Sequence, residues 1–294
     1  MRNFNISTDD TSDFTAKLIE EMDLHISYLH AYVNGVEQSP DNSEKVFHEF
    51  YDSMRDGAST KSSQANRYEI EQLYTEMLLD GKDILHLAFS NVLSGQYKNC
   101  FEVAKKLNST NKNQIYVIDT TAQSGGQALL VKMVCDYADE GHSIEECVQY
   151  AEENKSHICH LFVVDKLTYL ARNGRISNFS AFIGNVLAIK PVLYTNTQGK
   201  LIPLLKILSR KASLRKLVEL MKNKYDGDCK TIYITHGDCY DDARFVAHLI
   251  ENEFNLPVTI MPLDYTIGAH SGPGTVALFF TGKNRDIVYI PIIP

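Results

Sequence analysis

The chain runs to 294 residues, 44% hydrophobic and 22% charged, with a formal net charge of −8. That balance excludes a disordered chain, and the negative charge speaks against general nucleic-acid binding. No run approaches the roughly 18 apolar residues of a membrane span, Met1–Asn5 carries no apolar signal region, and the six cysteines contain no C-x-x-C pair, so free thiols in a cytoplasmic protein are expected.

The length predicts two ordinary domains rather than one large one. In chain order, the first strong signal is the apolar run Ile84–Phe89, read as a strand, followed by the polar turn Ser90–Gly95 and a helical pattern of Tyr97, Cys100, Phe101, Ala104 and Leu107. Gln114–Ile118 reads as the next strand. A capping box, Ser143-x-x-Glu146, opens a helix reaching Lys155. Its polar end places a boundary near residue 156, between an N-terminal α/β domain (1–156) and a C-terminal α/β domain (157–294).

Strands are then expected at His160–Val164, Thr231–Thr235 and Val258–Leu263, with a helix starting at Asp241 and leading into Phe245, His248, Leu249 and Asn252. Lys200–Lys224 holds eight Lys or Arg residues and one acid, Glu219. Part of it is a helix with Leu214, Leu217, Val218 and Met221 on one face, and a solvated basic face is its simplest reading; a docking surface for an acidic partner is the alternative. Val276–Phe280 and Ile287–Ile292 read as two strands joined by the turn Thr281–Asn284. The alternation predicts two α/β domains with mostly parallel sheets and a ligand cleft between the domains.

Four hydroxyl- and glycine-rich segments punctuate this pattern: Lys61–Asn66, Ser90–Gly95, Thr120–Gly126 and Gly268–Gly274. Helix capping accounts for any one such Ser or Thr. Four of them at strand ends and helix starts resemble the lining of one small anion site, because a helix N-terminus offers unpaired N–H groups and the positive end of its dipole. Each hydrogen bond to a carboxylate contributes about 1.5–3 kcal/mol, so a few offset partial burial of one negative charge.

These residues carry a resemblance to a known family. Asp9-Asp10-Thr11-Ser12-Asp13 resembles an opening D-S-T-S/A-D, Lys61–Asn66 a T-S-Q segment, and Phe89–Tyr97 the pattern S-S-G-L-S-G-T-Y. Asp119–Gly126 resembles D-S-x-x-x-S-x-G-x-G, and Leu167–Ile176 resembles L-x-Y-L-x-x-G-G-R-I. Lys190-Pro191-Val192-Leu193 with Gly199, and Gly268-Ala269-His270-Ser271-Gly272-Pro273-Gly274, complete the series. In this order and spacing the chain resembles the DegV family, the fatty-acid-binding proteins of bacteria.

The resemblance implies a two-domain α/β protein holding one long-chain fatty acid, its only ligand, with no cofactor and no metal. Several such proteins serve as the acyl-binding subunit of bacterial fatty acid kinase, whose separate ATP-binding subunit makes an acyl phosphate destined for phospholipid synthesis. Carried over by position, Ser62 and Ser94 would bind the carboxylate with His270, and Ser63, Asn91 and Gly95 would be near neighbours. Arg172, Arg175 and Arg210 would dock the kinase subunit. Departures from the family pattern are Ser62 for Thr, Asn91 for Ser, Val92 for Gly, and Asn173 for Gly, where Asn suits a left-handed helix end.

The residues themselves agree with a binding role. An ionised carboxylate needs no general base, and no G-x-x-x-x-G-K-S/T phosphate loop occurs. The alternative is a Ser/His acyl hydrolase using Ser94 or Ser271 with His270, but Gly268–Gly272 displaces the Ser by one place from G-x-S-x-G. A nucleic-acid or interaction module built on Ser209–Lys224 lacks a helix-turn-helix, and His157 with His160 lies on a strand pattern without metal-ligand spacing.

Overall fold

The computed structural model describes residues 2–38, 43–176 and 189–287. The first half contains strands β1 (Phe4–Asp9), β2 (Leu24–Ser27), β3 (His30–Val33), β4 (Val36–Glu37), β5 (Thr60–Ser63), β6 (Asp83–Ala88) and β7 (Ile115–Asp119). Its helices are α1 (Ala16–Glu21), α2 (Glu44–Arg55), α3 (Arg67–Leu78), α4 (Gln96–Asn108), α5 (Gly125–Asp139) and α6 (Ile144–Asn154). The second half adds β8 (Ile158–Val163), β9 (Lys190–Thr195), β10 (Leu201–Ile207), β11 (Ile232–His236), β12 (Val258–Pro262) and β13 (Val276–Thr281). With them come α7 (Thr168–Arg172), α8 (Arg210–Lys224), α9 (Tyr240–Phe254) and α10 (Tyr265–Ser271).

The first sheet has the order β2-β1-β6-β7 and is parallel throughout. Its central strand β1 buries polar residues between apolar ones, and each is satisfied. Asn5 Nδ2 donates to the Met77 carbonyl at 3.2 Å, Ser7 Oγ lies 2.8 Å from His86 Nδ1, and Thr8 Oγ1 donates to the Leu87 carbonyl at 2.7 Å. These bonds let a hydroxyl-rich strand sit where an apolar one is usual. A small antiparallel sheet, β4-β3-β5, carries Ser62 and Ser63 at the end of β5.

The second sheet, β10-β9-β8-β13-β11-β12, is mixed: only β11 and β12 run parallel. The parallel expectation therefore describes the first sheet, and this one departs from it. A short turn at Asn196–Lys200 joins β9 to β10, and a connection of that length admits only antiparallel neighbours. The strand expected at Ile287–Ile292 falls, beyond Ile287, outside the described residues.

Both expected helix starts are seen. Ser143 and Glu146 close a capping box on α6, and α9 begins at Tyr240, with Asp241 in its first turn but making no side-chain cap bond. In α8, Leu214, Leu217, Val218 and Met221 are buried as the periodicity predicts. Helix α5 lies between the sheets, and one hydrophobic cluster runs from Phe4, Ile6 and Leu87 through Leu129 and Val134 to Phe162, Tyr233 and Phe279. The glycines at its start permit this approach: a Cβ on Gly125 would sit 2.6 Å from the Phe279 ring, and one on Gly126 would sit 2.2 Å from His160.

Candidate functional site

All four polar segments meet at one cavity of about 370 Å³ between the sheets. β5 delivers Ser62 and Ser63 to its lining, the turn between β6 and α4 delivers Ser94 and Gly95, and α10 delivers His270 and Ser271. The remaining segment supplies Gln123 and Ser124. Leu93, Phe162, Leu170, Leu201, Ile267 and Phe279 are among its apolar walls. The volume falls in the range of small-molecule sites, and an apolar wall with converging polar groups is their usual form.

Ser62 Oγ lies 2.6 Å from His270 Nε2. Burial, with the positive Arg175 nearby, pushes the His270 imidazole down to about 4, so it is neutral at pH 7. Its Nδ1 is buried without a hydrogen-bond partner among the described residues. Ser94 Oγ accepts the Gln96 backbone N–H at 3.2 Å, so this hydroxyl both meets the first residue of α4 and lines the cavity. The start of α4 adds the positive end of a helix dipole to that side.

Read as a glycine-rich turn, Gly268–Gly274 is instead helical through Ser271. Asp264 causes this: its side chain accepts the N–H groups of Thr266 at 2.5 Å and Ile267 at 3.2 Å, capping α10, and Gly272 closes the helix at φ 80°. Gly268 lets the helix pack, since a Cβ there would lie 2.3 Å from the Tyr51 hydroxyl. His270 is thus held on a short, capped helix rather than a loop.

Other sequence-based candidates separate in space. Asn91 is absent from the main cavity and lines an adjoining one of about 500 Å³ with Lys200, which shares Ser94, Gly95 and Arg175 with the first. Arg175, read from the resemblance as a docking residue, therefore borders both cavities; nothing in its spacing marked it as a lining residue. Arg172 is exposed on α7. Arg210 is mostly covered: it donates to Asp242 at 2.9 Å and to the Gly274 carbonyl at 2.6 Å, tying α8 to α9 and to the turn after α10. Asn173 is not left-handed (φ −99°); Gly174 takes that conformation at φ 67°.

Hydroxyls of the same segments serve the frame as well. Thr120 Oγ1 donates to the Ala88 carbonyl at 2.8 Å, and Ser90 Oγ faces Gly199, where a Cβ would lie 2.4 Å away. Ser124 has φ 56°, a strained value for a non-glycine residue, and its hydroxyl bonds Asp13 and Thr235.

A third cavity, about 420 Å³, shares Leu29, Leu263 and Thr266 with the first and is lined by Asp10, Asp13 and Asp264. Sequence reading did not find it. Burial, with the neighbouring Asp264 charge, raises Asp10 and Asp13 well above the usual carboxylate range, and burial pushes Asp264 up to about 6. Only the opening D-D-T-S-D run hinted at this cluster, and Asp264 lies far from it in the chain.

All six cysteines are free, five of them buried, and no helix among the described residues is long and apolar enough to cross a membrane. The family model described as "Uncharacterised protein, DegV family" matches residues 3–283. A DegV domain-containing protein of Clostridium perfringens is 36% identical over 292 residues, spanning 97% of this chain and 100% of the relative. A DegV domain-containing protein of Streptococcus pyogenes is 30% identical over 283 residues, spanning 96% and 99%. Among solved structures, a fatty acid binding DegV family protein from Streptococcus agalactiae superposes with a TM-score of 0.84 at 26% identity, covering 97% of this chain and 100% of that one. A DegV lipid binding protein from Thermotoga maritima gives 0.84 at 25% identity with the same coverage. With one family's model spanning nearly the whole chain, and relatives of that family matching it end to end, the chain belongs to the DegV family.

Proposed function

We propose that this protein binds one long-chain fatty acid in the 370 Å³ cavity and presents it to a separate fatty acid kinase subunit for phosphorylation to an acyl phosphate. In this reading the cavity separates an N-terminal domain (1–156) from a C-terminal one (157–294). The observation that carries the binding role is the pairing of a neutral, buried His270 with Ser62 at one end of an apolar-walled cavity. The imidazole donates to Ser62, whose own hydroxyl is then oriented to donate to a carboxylate; Ser94 and Arg175 complete the head-group set, with Ser63 and Gly95 beside them. Each buried methylene of the tail contributes about 0.8 kcal/mol, so a long chain is retained through purification.

The fatty acid binding described for the S. agalactiae relative supports this reading. In it the protein is the lipid carrier and the kinase subunit supplies ATP, so the chain needs no catalytic residues of its own. Arg172 and the open cavity mouth at Arg175 and Lys200 form the face offered to that subunit. Native mass spectrometry of freshly purified protein, followed by lipid extraction, tests the proposal. A stoichiometric fatty acid is expected; a protein that carries none and takes up none on incubation overturns it.

The Ser62–His270 contact also resembles a nucleophile and its base, which moves the hydrolase alternative from Ser94 or Ser271 to Ser62. His270 Nδ1 meets no carboxylate among the described residues, so the third member that orients a catalytic His is missing there. Labelling of Ser62 by a fluorophosphonate probe would favour that alternative.

A further inference from the structure

Behind the turn that carries Ser94, three fully buried side chains from three elements converge: Asp9 at the end of β1, His86 in β6 and Cys100 in α4. One ligand atom from each lies within 4.8 Å of the other two. None of the three lines the head-group cavity, so the fatty-acid reading leaves them without a role. We propose that Asp9, His86 and Cys100 form a structural site for a zinc-type divalent ion.

Geometry is the first argument. His86 Nε2 lies 3.4 Å from Asp9 Oδ1, an ion-pair contact without hydrogen-bond geometry. A charge-assisted N–H to carboxylate bond would close to about 2.7–2.9 Å. Two ligands each about 2.0–2.2 Å from a tetrahedral zinc ion sit about 3.4 Å apart, the spacing found here.

The surrounding groups orient each donor inward. His86 Nδ1 is 2.8 Å from Ser7 Oγ, which leaves Nε2 facing the cluster. Asp9 Oδ2 accepts the Phe89 backbone N–H at 2.6 Å, leaving Oδ1 turned inward. Gln96 Nε2 donates to Asp9 Oδ1 at 2.7 Å and to Ser27 Oγ at 3.0 Å, with Cys100 Sγ at 3.6 Å, and its Oε1 accepts the Ala65 N–H at 3.1 Å. The amide thus acts as an outer donor to Asp9 and sits against Cys100.

Chemistry then selects the ion. A nitrogen, oxygen and sulfur donor set suits zinc and does not suit calcium or magnesium, which take oxygen ligands. Carboxylate and thiolate balance a divalent charge, which answers the cost of burying either anion alone. The Tyr74 hydroxyl is buried beside Cys100, and its ring lies 5.6 Å from that of His86, so this side chain packs against the same cluster. A closed site of this kind is structural: it would clamp β1, β6 and α4 together beneath the Ser94 turn.

Because the site is closed to solvent, metal is supplied during expression. Protein made without a metal-affinity step is desalted and measured by inductively coupled plasma mass spectrometry, and a second batch is made in cobalt-supplemented minimal medium. About one ion per chain and a cysteine-to-cobalt charge-transfer band are expected, both lost in Cys100→Ala and in His86→Gln. Wild-type protein holding no more metal than Cys100→Ala, or a cobalt spectrum lacking the thiolate band, overturns the site. If either variant fails to fold, the wild-type metal content and cobalt spectrum decide alone. Fatty-acid retention is measured on the same samples, and its loss would leave the metal result standing.

Discussion

The cavity holding Ser62 and His270 and the acid-lined cavity beside it share a wall of Leu29, Leu263 and Thr266, yet use polar residues in opposite ways. Burial acts on both. It pushes His270 down to about 4, so the imidazole is neutral at pH 7, and raises the acids, with Asp264 at about 6 and therefore mostly ionised at pH 7. What differs is the charge left over: the first keeps Arg175 at its edge, and the second keeps acids. In the proposed reading an anionic head group is favoured in the first and disfavoured in the second. The acid cluster instead builds architecture. Asp13 accepts the Asp264 backbone N–H at 2.9 Å, and Asp264 caps the helix that ends at His270.

Removing that cap is the hardest test of the contrast. Asp264→Ala deletes the α10 cap and disturbs the bonded Asp13, and a loss of roughly 3 kcal/mol is expected from chemical denaturation. A loss below about 1 kcal/mol would mean that the acids do not organise α10.

Acid titration separates the two cavities by sign. His270 is depressed in the folded state, so its contribution is full above its ordinary 6.5 and is lost as pH falls towards about 4. Asp264 is raised from 3.8, so its contribution is full below 3.8 and is lost as pH rises through about 6. Stability curves of His270→Gln and Asp264→Asn should therefore diverge from wild type in opposite directions between these limits, by roughly 3 kcal/mol for the His. Parallel curves would refute the assignment.

Arg175→Glu should weaken fatty-acid affinity about 30-fold in a displacement titration, and Ser62→Ala about 10-fold, with unfolding midpoints little changed. Arg172→Glu should leave affinity intact and lower acyl phosphate formation with a kinase subunit. Weakened lipid binding in Arg172→Glu but not in Arg175→Glu would exchange their roles. Arg210→Ala should lose about 1–2 kcal/mol of stability through its bonds to Asp242 and Gly274.

Elements with local signatures were legible. The strand, turn and helix over 84–107 appear as β6, the Ser90–Gly95 turn and α4, because an apolar run and a 3.6-residue period are read within one segment. β1 was not legible, because Asn5, Ser7 and Thr8 are polar residues whose burial depends on partners in α3 and β6. β5 was hidden likewise, its Lys61-Ser62-Ser63 pairing with a strand that sequence periodicity did not mark. The polar segments announced a site by composition, but not which hydroxyls face it: Ser62 and Ser94 do, whereas Thr120 turns to the Ala88 carbonyl.

By itself the sequence determined the α/β alternation, the cap at Ser143, and the presence of clustered hydroxyls at strand ends, since each depends on residues within a few positions of one another. Tertiary structure alone decided the antiparallel order of the second sheet, the meeting of Ser62 with His270 across 208 positions, and the neutral state of that imidazole. Those properties arise from burial and from distances between segments, and neither exists until the chain has folded.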